Sequence, residues 1–208
     1  FMLEGLAYRI TPGKINPTGV NTEVAYDNMV NKFKWGGIDN PKVYLDENNL
    51  RMCKTFRIMF NELIAALINE GKDDKALAAL DYCLKVIPAN TVPMGGESVS
   101  FADAYFAIDQ PEKAEAVIKI ILDRSEQSLN WFHRLKPDQM AGSTSDIRSN
   151  FDNLLRIAMV YQQHGDMAKY KALIEKLQGY AQLYFTNRVP ALGNYALKNI
   201  TDTSVRGY

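Results

Sequence analysis

The sequence contains only two histidines and two cysteines among its 208 residues, which leaves few side chains for metal ligation or covalent catalysis. His133 and His164 lie far apart, and neither has a cysteine at the spacing of a metal site. The sequence also lacks a nucleophile elbow, a phosphate-binding loop and a dinucleotide-binding glycine motif. We therefore expect no catalytic residue, no metal ion and no cofactor in this chain.

An excess of charge and a long hydrophobic run are missing as well. The chain has 24 basic and 24 acidic side chains, whereas nucleic-acid-binding proteins ordinarily have a basic excess because phosphate contacts dominate their affinity. No apolar run approaches the roughly 18 residues that span a bilayer. The most apolar stretch contains Glu115 and Lys119. We therefore expect no nucleic-acid partner and no direct insertion into a membrane.

The first residue and the cysteines give two further expectations. Phe1 precedes Met2, and translation does not begin at phenylalanine, so we expect the chain to be a segment of a longer protein. Cys53 and Cys83 lie on the apolar faces of predicted helices, where free cysteine is commonly buried. We expect buried thiols, although an oxidising compartment would leave a disulfide open.

The sequence is rich in helical periodicity. Apolar residues recur at spacings of three and four along six segments between Asp46 and Asn187, which is typical of amphipathic helices. Gly71 and Gly165 are predicted to end two of these helices in the left-handed conformation. Pro111 suits the first turn of another, where its missing N–H group costs nothing.

Helix starts are predicted from polar side chains that can accept the free N–H groups of a first turn. Asp46, Asp73 and Asp166 are the predicted N-caps. Ser143 and Asp146 resemble a capping box. Residues 136–144 are predicted to form a polar loop.

The six helices pair into three antiparallel hairpins that match the tetratricopeptide unit of roughly 34 residues. With Pro88 as the terminal proline, Arg57 takes the first position and Phe60 the first aromatic position. Ala76 and Ala114 take the position where a small residue lets two helices cross. We predict an all-α fold of tetratricopeptide-like antiparallel hairpins, an α-α superhelix, although any antiparallel helical hairpin shows similar periodicity.

Three regions follow from these patterns. Residues 1–45 form an irregular N-terminal arm that packs on the repeats and contains a short helix with Val24, Val30 and Phe33 on one face. Residues 46–187 form the repeat domain. Residues 188–208 form an irregular C-terminal tail, which contains the glycan-acceptor pattern of Asn199 to Thr201.

A concave groove is expected along the first helices of the hairpins. The candidate groove residues are Asn61, Asn69, Asp103, Phe106, Met159, Gln162 and Gln163. Ala65 and Leu155 face the same side. Lysine and arginine are absent from these positions, so a peptide's terminal carboxylate would be buried at a cost. An extended peptide suits them better, with amides pairing its backbone; the alternative is that the 1–45 arm fills the groove itself.

Aromatic residues form a second set of candidates. Trp35 and Tyr44 lie in a segment rich in aromatics and glycine, and Trp131 lies in a second aromatic cluster. Such rings seal the ends of a helical stack, or they serve as stacking platforms for a sugar.

Four segments carry a resemblance to a known family: LEGLAYRI (3–10), EVAYDN (23–28), KFKWGG (32–37) and VYLDENNLRM (43–52). With them the chain resembles the C-terminal region of large bacterial multi-pass membrane proteins of unknown function. Those proteins are similar to protein O-mannosyltransferase-like glycosyltransferases. The resemblance implies a soluble repeat domain on the periplasmic side of a membrane. It implies no catalytic residue here, because the family's presumed catalytic residues belong to the membrane part.

Together these inferences favour a non-catalytic accessory domain that binds protein or peptide. The membrane part of its own parent chain is one candidate partner. Two alternatives remain open: a structural or oligomerisation cap, and a carbohydrate-binding module.

Overall fold

The computed structural model describes residues 1–10, 17–187, 194–195, 198 and 200. The helices are α1 (Thr22–Tyr26), α2 (Glu47–Asn69), α3 (Asp73–Val86), α4 (Val99–Ala107), α5 (Pro111–Phe132), α6 (Pro137–Gly142), α7 (Thr144–Gln163) and α8 (Met167–Asn187). A π-helical segment, Asp27–Lys32, continues α1, and a 3-10 turn, Gly96–Ser98, precedes α4. Two short strands, β1 (Met2–Leu3) and β2 (Tyr8–Arg9), form the one sheet found within these residues. The predicted all-α class is therefore confirmed.

Two compact units divide the chain, Phe1–Glu115 and Ala116–Tyr208, and the division falls within α5. The tail predicted for 188–208, including the glycan-acceptor pattern, lies outside the described residues except for 194–195, 198 and 200. In the part of the chain that the structure describes, no helix combines the length and apolar character needed to cross a bilayer.

The first unit is built around the hairpin of α2 and α3. Asp46 caps α2 as predicted, because its Oδ1 accepts the N–H of Asn49 at 2.8 Å. Gly71, with a φ of 70°, makes the left-handed turn between the helices. The two helices bury their facing apolar residues, which are Phe60, Leu63, Ile64, Leu67, Ala76, Ala79, Leu80 and Cys83. The helix α4 also packs against α2.

The prediction that Asp73 caps α3 is wrong. The helix begins at Asp73 itself, and Lys72 precedes it without a side-chain cap. The Lys72 ammonium instead pairs with Glu23 and Glu70. Asp73 and Asp74 lie in the first turn, where carboxylates interact favourably with the positive end of the helix dipole.

The predicted capping box at Ser143 and the predicted loop over 136–144 are also wrong. Residues Pro137–Gly142 form α6, in which proline occupies the first turn. The hydroxyl of Ser143 donates to the carbonyl oxygen of Gln139 at 3.3 Å, so it caps no N–H group of α7. The Ser143 side chain therefore bonds to the C-terminal end of α6, whereas the sequence pattern assigned it to the N-terminal end of α7.

In the arm, β1 pairs antiparallel with β2, and Val20 forms a parallel bridge with Leu3. The short helix begins at Thr22, after Asn21, whose Oδ1 accepts the N–H of Val24 at 3.4 Å. The predicted apolar face was incorrect, because the helix buries Ala25 and Met29 while Val24 is 37% exposed. The buried face therefore follows Thr22, Ala25 and Met29, which lie at spacings of three and four.

The second unit contains the hairpin of α7 and α8. Gly165, with a φ of 80°, makes the turn, and Asp166 accepts the N–H of Lys169 at 3.0 Å, both as predicted. Its core contains Phe151, Leu154, Ile157, Ala158, Leu173, Leu177 and Tyr184. The Tyr184 hydroxyl donates to the carbonyl oxygen of Leu129 on α5 at 2.6 Å, which ties α8 to the C-terminal part of α5.

The burial of Ala76 allows a direct test of the α2–α3 packing. Ala76 is 0% exposed, so Ala76→Leu is expected to lower the free energy of unfolding by about 1–3 kcal/mol through overpacking. Urea denaturation measures the change. Ala78→Leu, at an exposed position of the same helix, is the control and should change it by less than about 0.5 kcal/mol. An unchanged midpoint for Ala76→Leu would show that α2 and α3 do not cross closely at this site.

Candidate functional site

A concave surface of the first unit is a cleft of about 680 Å³ between the arm and α2, here called the α2 cleft. Its lining residues are Pro17, Thr18, Val20, Glu62, Ala65, Ala66, Asn69 and Glu70. The α2 residues recur at spacings of three and four, so one face of the helix forms one wall. Two of the residues that the sequence placed in a groove, Ala65 and Asn69, therefore lie in this cleft.

The floor of the α2 cleft is apolar, whereas its ends are polar. Ala65 and Ala66 contribute only methyl groups, which leave the space beside α2 unfilled. At one end the Tyr8 hydroxyl donates to Oε2 of Glu62 at 2.6 Å, and this bond raises the pKa of Tyr8. At the other end the Thr22 hydroxyl donates to Oε2 of Glu70 at 2.7 Å. Both carboxylates are therefore held in place by side chains of the arm.

Ion pairs join the arm to the N-terminal end of α3. The carboxylate of Glu23 pairs with Lys72 at 2.8 Å and with Lys75 at 2.7 Å. Hydrogen bonds from Lys72 and then Lys75 lower the pKa of Glu23 to about 2. These groups are largely exposed, so each pair contributes little stability and mainly orients the chain. Buried Leu3 and Met29 anchor the arm more strongly.

The arm thus forms a wall of the α2 cleft. The segment from Pro17 to Val20 lies opposite α2, and the cleft remains between them. The predicted peptide groove, and the alternative in which the 1–45 arm fills it, both stay predictions.

The other groove candidates of the first unit are not among the residues that line this cleft. Asn61 donates from Nδ2 to the carbonyl oxygen of Glu97 at 2.7 Å, which directs its amide toward the loop before α4. Asp103 and Phe106, on α4, are half-buried.

A buried polar cluster centred on Arg57 was not foreseen as such. Arg57 is 0% exposed. Its Nη2 donates to the carbonyl oxygens of Ile87 at 2.9 Å and Val92 at 2.6 Å. Its Nη1 donates at 3.3 Å both to the carbonyl oxygen of Pro93 and to a carboxylate oxygen of Glu97. Burial lowers the pKa of Arg57, and the negative charge of Glu97 opposes that shift. The hydrogen bonds of the guanidinium join the 87–97 loop to α2.

The sequence feature that could have indicated this cluster is a cationic residue within an apolar helical face. Arg57 lies between Phe56 and Phe60 on a helix whose other inward positions are apolar. A charged group at such a position requires several hydrogen-bond partners, because unpaired burial is costly. The sequence pattern does not identify those partners.

The groove candidates of the second unit lie toward the C-terminal end of α7. Met159 is 49% exposed. Gln162 is half-buried and Gln163 is exposed. Met159 and Gln163 are four residues apart and therefore share one solvent-facing side of the helix.

The three aromatic candidates have different environments. Trp35 packs against Phe33, Phe56 and Phe60, with ring centroids 6.3, 5.8 and 5.3 Å away. Tyr44 is 87% exposed and Trp131 is 58% exposed. Trp35, in the arm, thus packs into an aromatic cluster with Phe56 and Phe60 of α2, whereas the rings of Tyr44 and Trp131 face solvent.

The cysteines are buried free thiols, as predicted. Burial raises the pKa of both Cys53 and Cys83, which keeps the thiols protonated and poorly nucleophilic. Among the described residues no group of three or more His, Cys, Asp and Glu side chains has the geometry to hold a metal ion.

No protein-family profile, no curated protein and no solved structure matches this chain. A function is therefore inferred from the geometry of the chain and from its sequence.

Proposed function

We propose that this chain is a non-catalytic domain that binds an extended protein segment in the α2 cleft. The observation that carries the proposal is the cleft itself, with its alanine floor, the Asn69 amide and two fixed carboxylates. Its volume of about 680 Å³ lies within the roughly 300–1,000 Å³ that is usual for ligand sites. An extended peptide would place apolar side chains over Ala65 and Ala66 and pair its backbone with Asn69.

The order of the hairpins supports a tetratricopeptide-like arrangement as part of this proposal. The helices α2 and α3, and likewise α7 and α8, are consecutive along the chain and pack as hairpins. Each pair is joined by a short turn with a left-handed residue, Gly71 or Gly165, and the turn between α4 and α5 contains a left-handed Asp109. Ala76 and Ala114 are both 0% exposed, as the small positions of such a repeat require.

The resemblance noted in the sequence supplies the proposed setting. The domain would belong to a membrane glycosyltransferase-like protein and lie on the periplasmic side. It would hold an acceptor protein, or the membrane part of its own parent chain, near the membrane.

Peptide binding is testable with a charged side chain placed in the α2 cleft. Ala65→Arg is expected to weaken binding to an immobilised peptide library at least about tenfold, because the arginine would fill the space over the apolar floor. Ala78→Arg, at an exposed alanine of α3, is the matched control and should bind as the wild type does. Binding that survives Ala65→Arg, or a wild-type chain that binds no peptide, would contradict the proposal.

A carbohydrate-binding module is the second candidate function, and the exposure of Tyr44 and Trp131 is the observation that favours it. Exposed aromatic rings can stack on the apolar face of a sugar. Binding to a glycan array that disappears in Tyr44→Ala or Trp131→Ala, with peptide binding absent, would favour this function over the first.

A further inference from the structure

The charged side chains that line the α2 cleft have a single sign. Glu62 and Glu70 are acidic, and no lysine or arginine is among the described residues that line the cleft. The remaining lining residues are apolar or neutral. A segment bound in the cleft therefore meets a carboxylate at each end, and these two carboxylates differ in what already balances their charge.

Glu70 has a cation from the chain itself. The Lys72 ammonium lies 2.7 Å from Oε2 of Glu70, and the Thr22 hydroxyl donates to the same oxygen at 2.7 Å. A second cation would gain little at this carboxylate, because its charge is already balanced by Lys72. Glu70 is therefore a weak attractor for a charged ligand.

Glu62 has only a neutral donor. The hydroxyl of Tyr8, 54 residues earlier in the chain, donates to Oε2 of Glu62 at 2.6 Å. Among the described residues no lysine, arginine or histidine forms an ion pair with Glu62, and the cation beside Tyr8, Arg9, pairs instead with Glu4 at 3.0 Å. The bond from Tyr8 thus holds a half-buried carboxylate in the cleft wall without balancing its charge.

We propose that the α2 cleft prefers protein segments that carry a lysine or an arginine, whose cationic side chain pairs with Glu62. This inference rests on the proposed function of the cleft and names the class of segment that it binds. A cation at a carboxylate makes a charge-assisted hydrogen bond, which is about twice as strong as a neutral one. An acidic side chain at the same place would be repelled, so the charge selects among segments.

The geometry of α2 also predicts the spacing of the preferred residues. Glu62 and Ala66 are four residues apart, which corresponds to about 6 Å along the helix axis. In an extended segment, side chains on the same face are two residues apart, or about 6.6 Å. A basic residue over Glu62 therefore places the residue two positions away over the apolar floor, where an apolar side chain suits it.

Peptide pools of defined composition test the preference. Each pool contains immobilised nine-residue peptides in which one position is fixed and the others are randomised. Pools with lysine or arginine fixed are expected to bind the full chain at least about threefold more strongly than pools with glutamine fixed at the same position. Pools with glutamate fixed should bind most weakly.

A second set of pools tests the spacing. Pools with lysine and leucine fixed two residues apart should bind more strongly than pools with the same two residues adjacent, because adjacent side chains of an extended segment point to opposite faces. Equal binding by the two sets would contradict the alignment of the segment along α2.

The decisive variant is Glu62→Gln, which removes the charge but keeps an oxygen that can accept from Tyr8. It should reduce the ratio of lysine-pool to glutamine-pool binding to about one, whereas Glu62→Lys should make the glutamate pools bind better than the lysine pools. Glu47→Gln, at an exposed position of the same helix outside the cleft, is the matched control for the loss of one negative charge and should keep the wild-type ratio. Circular dichroism verifies that each variant is folded.

The outcomes separate the charge preference from the proposed function. If the wild type binds the pools without preferring lysine or arginine, or if the preference survives Glu62→Gln, the charge preference is overturned while the α2 cleft remains a peptide site. If the wild type binds no pool, the peptide site itself is refuted and the preference with it. A preference that Glu62→Gln and Glu47→Gln reduce equally would reflect the overall charge of the chain and would overturn the role of Glu62.

Discussion

Arg57→Ala is expected to lower the free energy of unfolding by about 3–5 kcal/mol, which is the loss expected when one member of a buried charged cluster is removed. The substitution would leave the carbonyl oxygens of Ile87 and Val92 without the donor that now reaches them at 2.9 and 2.6 Å. It would also leave the partly buried Glu97 carboxylate without its cation. Urea denaturation followed by circular dichroism measures the change.

Arg51→Ala is the matched control on the same helix. Arg51 is exposed and donates to Asn48 at 2.9 Å, so its removal should change stability by no more than about 0.5 kcal/mol. Arg57→Lys should lie between the two, because an ammonium keeps the charge but lacks the planar set of five donors. Equal stability losses for Arg57→Ala and Arg51→Ala would refute the structural role of the guanidinium.

Phe60→Ala is expected to destabilise the first unit by about 3–5 kcal/mol, the usual cost of deleting a buried aromatic ring. Phe60 is 0% exposed. Its ring centroid lies 5.3 Å from that of Trp35 and 6.5 Å from that of Tyr82. It therefore joins the arm to both helices of the α2–α3 hairpin, and its loss leaves a cavity between them.

Two measurements check this prediction. Urea denaturation gives the loss of stability, and Trp35 emission should shift to longer wavelength as water reaches the cluster. Trp131 is already 58% exposed, so it should contribute little to that shift. The control Ile58→Ala removes an apolar side chain that is 42% exposed on the same helix and should cost much less. Unchanged Trp35 emission in Phe60→Ala would show that the two rings do not depend on each other.

Both predictions concern the framework of the α2 cleft. Arg57 holds the loop that precedes α4, while Phe60 and Trp35 connect the arm to α2. The cleft walls are α2 and the arm. Loss of the contact between Phe60 and Trp35 should therefore loosen the two walls, whereas loss of Arg57 should act on α2 alone. Binding experiments on the cleft therefore need variants such as Ala65→Arg that leave this framework intact.

The sequence by itself determined the features that depend on neighbours within a few residues. Asp46 accepts an N–H three residues later, and so does Asp166. Gly71 and Gly165 make the left-handed turns because a side chain at positive φ is strained. The 3.6-residue period likewise placed Ala65 and Asn69 on one face of α2. These features are local, so the order of residues is sufficient to predict them.

The predictions from sequence neighbours were wrong where two local structures compete for the same residues. Ser143 could cap α7 or end α6, and the donated bond to Gln139 decides for α6. The residue that precedes α3 is Lys72 and not Asp73. The Lys72 side chain forms an ion pair with Glu23 of the arm. Val24 is on the exposed side of α1, because Thr22, Ala25 and Met29 form the face that packs inward.

Only the tertiary structure decided the sites themselves. Arg57 and Val92 are 35 residues apart, and Tyr8 and Glu62 are 54 apart, so no periodic pattern connects them. The α2 cleft likewise combines Ala65 and Asn69 with Pro17 to Val20 of the arm. Helical faces follow from backbone geometry repeated every turn, whereas a partner across a long loop is selected by burial and hydrogen-bond satisfaction over the whole fold.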